Sequence, residues 1–252
     1  MKSRKKSNHV REARIERRRD KRELKRKGSD FSPADNFEQY RPVQREITPL
    51  RALTEAQGHY LNAIESSIIT FGIGPAGTGK TYVAAGYAAD QLRNGEIEKI
   101  IITRPGVEAG ESFGFLPGEL EEKYAPYIEP FRDVLNERLG KSQVDYFMSH
   151  GRIIASPLSF MRGKTFKDCV VILDEAQNTT PTQIKLFLTR IGQNCKVIVD
   201  GDIDQKDISG LSGLEDAVKR LKRVPSVRVV EFEVEDIVRS GIVRDIIEAY
   251  AK

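Results

Sequence analysis

The chain of 252 residues has no tryptophan, only two cysteines and three histidines, and no apolar run long enough to cross a bilayer. Cys169 and Cys195 each open a short apolar stretch and form no CxxC pair. That spacing speaks against a thiolate zinc site or a redox dithiol, and both read as thiols at the edge of a core. The amino terminus is charged with no apolar segment behind it, so neither a secretory signal nor a membrane anchor is expected, and the location reads as cytoplasmic. Acids are scarce at the same end. Residues 1–27 hold 14 Lys and Arg against 4 acids, about +10, so the rest of the chain must carry about −6 to reach the net +4. The stretch RRRDKRELKRK has helix formers but almost no apolar face, which predicts a disordered or frayed arm. Such an arm meets nucleic-acid phosphates by charge, or serves as a solubilising tail; with no aromatic in it, base stacking there is not expected. Residues 28–50, with GSDFSPADN, Pro42 and Pro49, read as a linker. A folded domain is expected over 51–252, and a hydrophobic content of 39% is enough to give it a core.

What is present is most specific at residues 68–81, IITFGIGPAGTGKT. An apolar strand runs into Gly74, Pro75, Ala76, Gly77, Thr78, Gly79, Lys80 and Thr81, and KTYVAAGYAADQL continues as a helix. Strand, Gly-rich turn and helix in that order make a phosphate-binding P-loop. The turn aims backbone N–H groups at phosphates, Lys80 supplies a point charge, Thr81 a hydroxyl for Mg²⁺, and the helix start adds partial positive charge. The ligand that fits is a nucleoside triphosphate. Before it, LTEAQGHYLNAI at 53–64 reads as a helix opened by Thr54, carrying Gln57, whose amide matches the N6 donor and N7 acceptor of adenine. An exposed polar helix residue is the plain alternative for Gln57.

After a second strand, KIIIT at 99–103, a long connection dense in Gly, Pro and acids begins at Arg104, beyond a strand end where parallel sheets bind ligands. Helices are expected at 130–139 and 141–149, then a strand at 152–155 and the basic turn PLSFMRGKT, in which Arg162 and Lys164 are candidates to meet nucleic-acid phosphates, a solvated basic turn being the plain alternative; Arg104 is a further candidate. CVVILDEAQNTT at 169–180 then delivers two acids to a strand end. Asp174 suits Mg²⁺, and Glu175 is placed to take a proton from attacking water. A helix at 181–191 leads to KVIVDGDIDQKD, where the amide of Gln205 can bridge a γ-phosphate oxygen and that water. Helix (213–222), strand (227–232) and helix (240–250) complete an alternation that predicts an α/β fold, a doubly wound, mostly parallel sheet.

GIGPAGTGKT, ITRPGVEAGESFGFLPGELEEKYAPY, SFMRGKT, ILDEAQNTT, FLTRIG and GDxxQ, in this order and spacing, resemble the PhoH-like family of ATPases over roughly residues 48–252. The resemblance implies one RecA-like P-loop NTPase core related to superfamily 1 helicases, with ATP hydrolysis coupled to RNA or single-stranded DNA and unwinding among the expected activities. On that basis Lys80 and Thr81 would bind phosphate and Mg²⁺, Asp174 and Glu175 would be the acid pair, and Gln205 the γ-phosphate sensor. Asp204 stands where the family usually has Thr, which puts a further carboxylate near the triphosphate. There is no room in these residues for the nuclease domain that some relatives carry, so no ribonuclease activity is implied. Arg239, in EVEDIVRSG, resembles the arginine of the helicase motif that follows GDxxQ. Since a helicase motor sandwiches ATP between two cores, Arg239 is expected to reach the site of a neighbouring subunit, in a homo-oligomer that becomes a hexameric or other ring if the rotation closes; an ordinary surface arginine near a helix start is the plain alternative.

Two other classes fit parts of the pattern. A P-loop small-molecule kinase would need neither Glu175 nor Gln205 and has no use for a basic arm. A nucleotide-gated clamp or adaptor on RNA, with little turnover, is compatible with Asp204.

Overall fold

The computed structural model describes residues 48–105 and 120–238, with side chains from 128 onward in the second segment. The basic arm, most of the expected linker, the greater part of the long connection after Arg104, Arg239 and the expected last helix lie outside the described residues.

Helix α1 (Glu55–Ser66) precedes β1 (Ile69–Ile73), and α2 (Lys80–Asn94) precedes β2 (Lys99–Thr103). Helices α3 (Leu120–Leu139) and α4 (Lys141–Ser149) follow, then β3 (Ile153–Ala155), β4 (Cys169–Leu173), α5 (Pro181–Leu188), β5 (Cys195–Gly201), α6 (Gly213–Leu221) and β6 (Val227–Glu231). Periodicity does not anticipate three short 3₁₀ turns, at Leu158–Met161, Ala176–Asn178 and Val234–Asp236.

The six strands form one parallel sheet in the order β3-β2-β4-β5-β1-β6. Strands buried on both sides alternate their side chains between two cores. Ile100, Ile102, Val170, Ile172 and Ile198 pack beneath α1–α4, whereas Ile101, Val171, Leu173, Val197 and Val199 pack against α5 and α6. The fold is therefore α/β and doubly wound, as the strand-helix alternation predicts. Cys169 and Cys195 stand directly opposite one another in the β4–β5 register and are buried, their sulfurs 3.8 Å apart.

Helix α3 starts ten residues before the expected helix at 130, so it takes in Pro126 and Pro130. Proline removes a helix donor and costs about 3 kcal/mol in an interior. Here Ile128, Phe131, Val134, Leu135 and Leu139 form a buried stripe at helical spacing, and that burial outweighs the local cost. Arg138, 2% exposed, ties α3 to its surroundings by pairing with Asp90 of α2 and donating to the Thr48 carbonyl at 2.9 Å. Thr48 and Leu50, in the stretch expected to be linker, thus contact the folded unit, Leu50 against the larger core.

Because all strands are parallel, the carboxyl ends of β1, β2, β4 and β5 lie on one edge. The segment after β1 is the P-loop, the segment after β4 is the acid pair, and β5, inserted between those two strands, ends at the GDxxQ loop. The topology alone brings the three motifs together.

Candidate functional site

The P-loop turns on glycines. Gly77 and Gly79 have φ of 87° and 85°, values an L side chain adopts only with strain, and a Cβ on Gly79 would sit 2.5 Å from the Gln57 amide nitrogen. Gly79 caps α2, so Lys80 and Thr81 are the first residues of that helix and their N–H groups have no intrahelical acceptor. Lys80 Nζ folds back to donate to the carbonyls of Gly74 at 2.7 Å and Pro75 at 2.8 Å, and to Thr78 Oγ1 at 3.2 Å. Burial lowers the pKa of its ammonium, while Asp200, Asp202, Asp174 and Glu175 pull the other way.

The Gln57 amide is engaged within the chain. It is 1% exposed; its Nε2 donates to the Thr78 carbonyl at 3.0 Å and its Oε1 accepts from Leu53 N at 2.8 Å. In this arrangement the amide braces the P-loop from behind, and reading a base would require those bonds to break. Arg104, expected to contact nucleic acid, is held on Asp174: its Nε donates to Oδ2 at 2.9 Å and a guanidinium nitrogen bonds the same oxygen. The guanidinium also lies 5.8 Å from the Phe131 ring centroid. Arg162 and Lys164 are exposed beyond the 3₁₀ turn Leu158–Met161, outside the cavity at the strand ends.

That cavity, about 440 Å³, is lined by Gly77, Lys80, Thr81, Asp174, Glu175 and Gln205, together with Arg104, Asp202 and the Pro130–Val134 side of α3. Glu175 holds φ at 55°, the left-handed region that a non-glycine residue enters at a cost of about 1 kcal/mol or more. The strain is located at the expected base. Asp204 is exposed and lies outside this cavity's lining, on two flanking clefts, one shared with Gly74 and Pro75 of the P-loop and the other with Glu175 and Gln205.

Two features escape a reading of the sequence. Gln177 links the acid pair to the sensor loop, its Nε2 donating to Glu175 Oε2 at 2.7 Å and to the Gln205 carbonyl at 3.2 Å, its Oε1 accepting from Asp202 N at 3.1 Å. The second is a buried pair below the P-loop. Tyr60 of α1 donates to Asp200 at the end of β5 across Gly72, where a Cβ would come within 2.5 Å of Asp200 Oδ1. Burial raises the Asp200 pKa to about 7, against the opposing effect of the Tyr60 bond, and its second oxygen has no hydrogen-bond partner. An Asp preceding Gly-Asp is the only available signal, and nothing local distinguishes it.

The residues fit a magnesium-bound triphosphate by charge. Lys80 rests on carbonyl dipoles that phosphate oxygens could replace, and Asp174 already holds a cation, the Arg104 guanidinium, where a metal would bring positive charge. Thr81 and Asp174 are the residues that would hold the ion.

A P-loop followed by two further strand ends that close one cavity defines this as a P-loop NTPase fold, which implies nucleotide binding. Among sequence families, the model of the PhoH-like protein family matches residues 49–251, and the chain belongs to that family. It is 50% identical over 205 residues to the PhoH-like protein of Bacillus subtilis and 47% identical over 211 residues to Protein PhoH of Escherichia coli K12. These alignments cover 81% and 82% of this chain but 64% and 60% of those proteins, so the chain spans about three fifths of the length of the curated relatives it matches. The crystal structure of Pif1 helicase from Candida albicans superposes with a TM-score of 0.38 at 15% identity, over 73% of this chain and 40% of that one, a likeness too loose to bear on function.

Proposed function

We propose that this chain binds ATP with Mg²⁺ in the P-loop cavity and hydrolyses it in response to RNA or single-stranded DNA, in the cytoplasm. The observation that carries the reading is the convergence of Lys80, Thr81, Asp174, Glu175 and Gln205, from three separate strand ends, on one cavity.

The α2 start and Lys80 bind the phosphate tail, Lys80 exchanging its carbonyl partners for phosphate oxygens. Magnesium, when bound, neutralises charge on the β- and γ-phosphate oxygens. Glu175, aimed by its left-handed backbone and by Gln177, takes the proton of the attacking water. Gln205 orients that water against the γ-phosphate, its backbone held by Asp202 and Gln177. Arg104 would have to release Asp174 for that carboxylate to hold a metal, and the pairing also favours a second reading, a nucleotide-gated clamp on RNA with little turnover.

Arg239 is proposed to complete the site of a neighbouring subunit in a homo-oligomer, and the basic arm to add affinity for nucleic acid by charge. The described residues contain no helix long and apolar enough to cross a membrane.

Phosphate release from ATP, measured with and without single-stranded RNA or DNA, tests the reading. Stimulation is expected; tight ATP binding without release would favour the clamp, and transfer to a small acceptor would favour a kinase. For the shared site, inactive Lys80→Ala and inactive Arg239→Ala proteins should regain part of the activity when mixed. A mixture that stays dead while subunits exchange contradicts it.

A further inference from the structure

Away from the nucleotide cavity, a shallow groove runs between the 3₁₀ turn Leu158–Met161 and α5, lined by Arg162, Gln183, Leu186 and Arg190 among others. Its volume is about 40 Å³, far below the about 300 Å³ that a small-molecule pocket needs, so it suits the edge of a long ligand. The two walls are tied together. Phe166 N donates to the Arg190 carbonyl and Gly192 N to the Phe166 carbonyl, both at 2.8 Å, and the Phe166 and Phe187 rings pack 5.5 Å apart.

The chemistry along this groove has one sign. Residues 151–167 and 176–199, which supply both walls, contain not one acid, while Arg162, Lys164, Lys185 and Arg190 stand on them. None of these four is ion-paired among the described residues. Arg190 has its Nε buried with no hydrogen-bond partner. Two apolar side chains on these walls are left in solvent: Leu186, in the lining of the groove, at 38% exposure, and Phe160, on the 3₁₀ turn but like Lys164 outside that lining, at 51%. An uncovered aromatic on a wall that also carries unpaired cations is the combination that holds single strands, because every base offers a face to stack and every nucleotide a phosphate.

We propose that a single strand of nucleic acid crosses the domain along this groove, a base stacking on Phe160 and its phosphates meeting Arg162, Lys164 and Arg190. The assignment rests on the nucleic-acid-dependent function proposed for this chain and gives it a path. It also supplies a link to the nucleotide: Leu158 N donates to the Arg104 carbonyl at 3.0 Å while the Arg104 side chain holds Asp174, so one wall of the groove hangs on the residue that would have to release Asp174 for it to hold a metal. The other wall, α5, begins directly beyond the acid-pair turn that ends at Asn178.

The test uses the full chain and fluorescently labelled oligo(dT) and oligo(U), with affinity read by anisotropy across a salt series and phosphate release read in parallel. Phe160→Ala should weaken binding about tenfold at every salt concentration and leave the salt slope unchanged, since stacking carries no counterion. Arg162→Ala with Lys164→Ala should instead lower the slope by about 2, one for each phosphate that no longer meets a cation. Val224→Ser, an exposed apolar residue after α6, is the control and should change neither. The arm is common to all variants and cancels in the comparison. If the unmodified chain binds and is stimulated while the groove variants match it in affinity and slope, the groove is wrong and the nucleic-acid function stands. If the unmodified chain binds neither oligonucleotide at any salt, that function itself fails and takes the groove with it.

Discussion

The two halves of the nucleotide cavity are built in different ways. On the P-loop side, the contacts of the central cation span a few residues: Lys80 reaches back five and six positions to Pro75 and Gly74, and the glycines set their own turn, with Gln57 added as a brace from 21 positions away. On the acid side, besides the short Gln177–Glu175 bond, the contacts that join the strand ends are distant in sequence. Arg104 reaches 70 positions to Asp174, and Gln177 reaches 28 to Gln205 and 25 to Asp202. A local half can be written as a motif, whereas the other half exists only once β2, β4 and β5 lie side by side.

The largest effect is expected where the local half is stripped of its cation. Lys80→Ala should abolish detectable triphosphate binding, a fall of at least about a hundredfold, because no other side chain on the P-loop carries positive charge. Titration with a fluorescent ATP analogue checks this, and retained affinity would sink the P-loop assignment.

On the acid side, removing the coupling without removing the acid should cost less. Gln177→Ala frees the Glu175 carboxylate and leaves Asp202 N without its partner, so turnover should fall about tenfold with ATP affinity nearly kept, and stability should drop by about 1–3 kcal/mol. Steady-state kinetics with urea unfolding reads both. An unchanged kcat would mean that Glu175 orients itself without Gln177.

The same division explains what is legible in the sequence. The P-loop, the DE pair and the sensor glutamine stand at strand ends and are readable from apolar runs that stop in polar or glycine residues. The doubly wound sheet follows from the alternation of such runs with helices. The residues around Arg104 point it outward, toward nucleic acid, because nothing near it in sequence shows the carboxylate it meets. Gln57 matches a base reader by chemistry, yet α1 packs it against the back of the P-loop. Asp200 and Tyr60 are 140 positions apart, and only the close approach of β1 at Gly72 makes them partners. The early start of α3 is hidden by Pro126 and Pro130, whose local cost is visible in sequence while the burial that offsets it is not.

A smaller effect should appear in stability against pH. Asp200 has a folded pKa raised to about 7 by burial, above the ordinary aspartate value of 3.8, so the folded chain binds the extra proton between those values. Stability from this group is therefore fully present below about pH 4, declines as pH rises toward 7, and is lost above it. Asp200→Asn should flatten that decline, giving a higher Tm than the unmodified chain at about pH 8 and little gain at about pH 5. A Tm difference that stays constant across this range would show that Asp200 is not held protonated.

Glu175→Gln meets both halves at once, since it keeps the P-loop intact and removes only the basic oxygen that the acid side positions. ATP affinity and phosphate release should be measured on the same preparation of this variant and of the unmodified chain, with single-stranded nucleic acid present. Unchanged affinity is expected, with release reduced about a hundredfold or more. Release from Glu175→Gln at the unmodified rate would contradict the hydrolytic role of this cavity, because the proton would then be taken elsewhere and the convergence of the three strand ends would not be the site of hydrolysis.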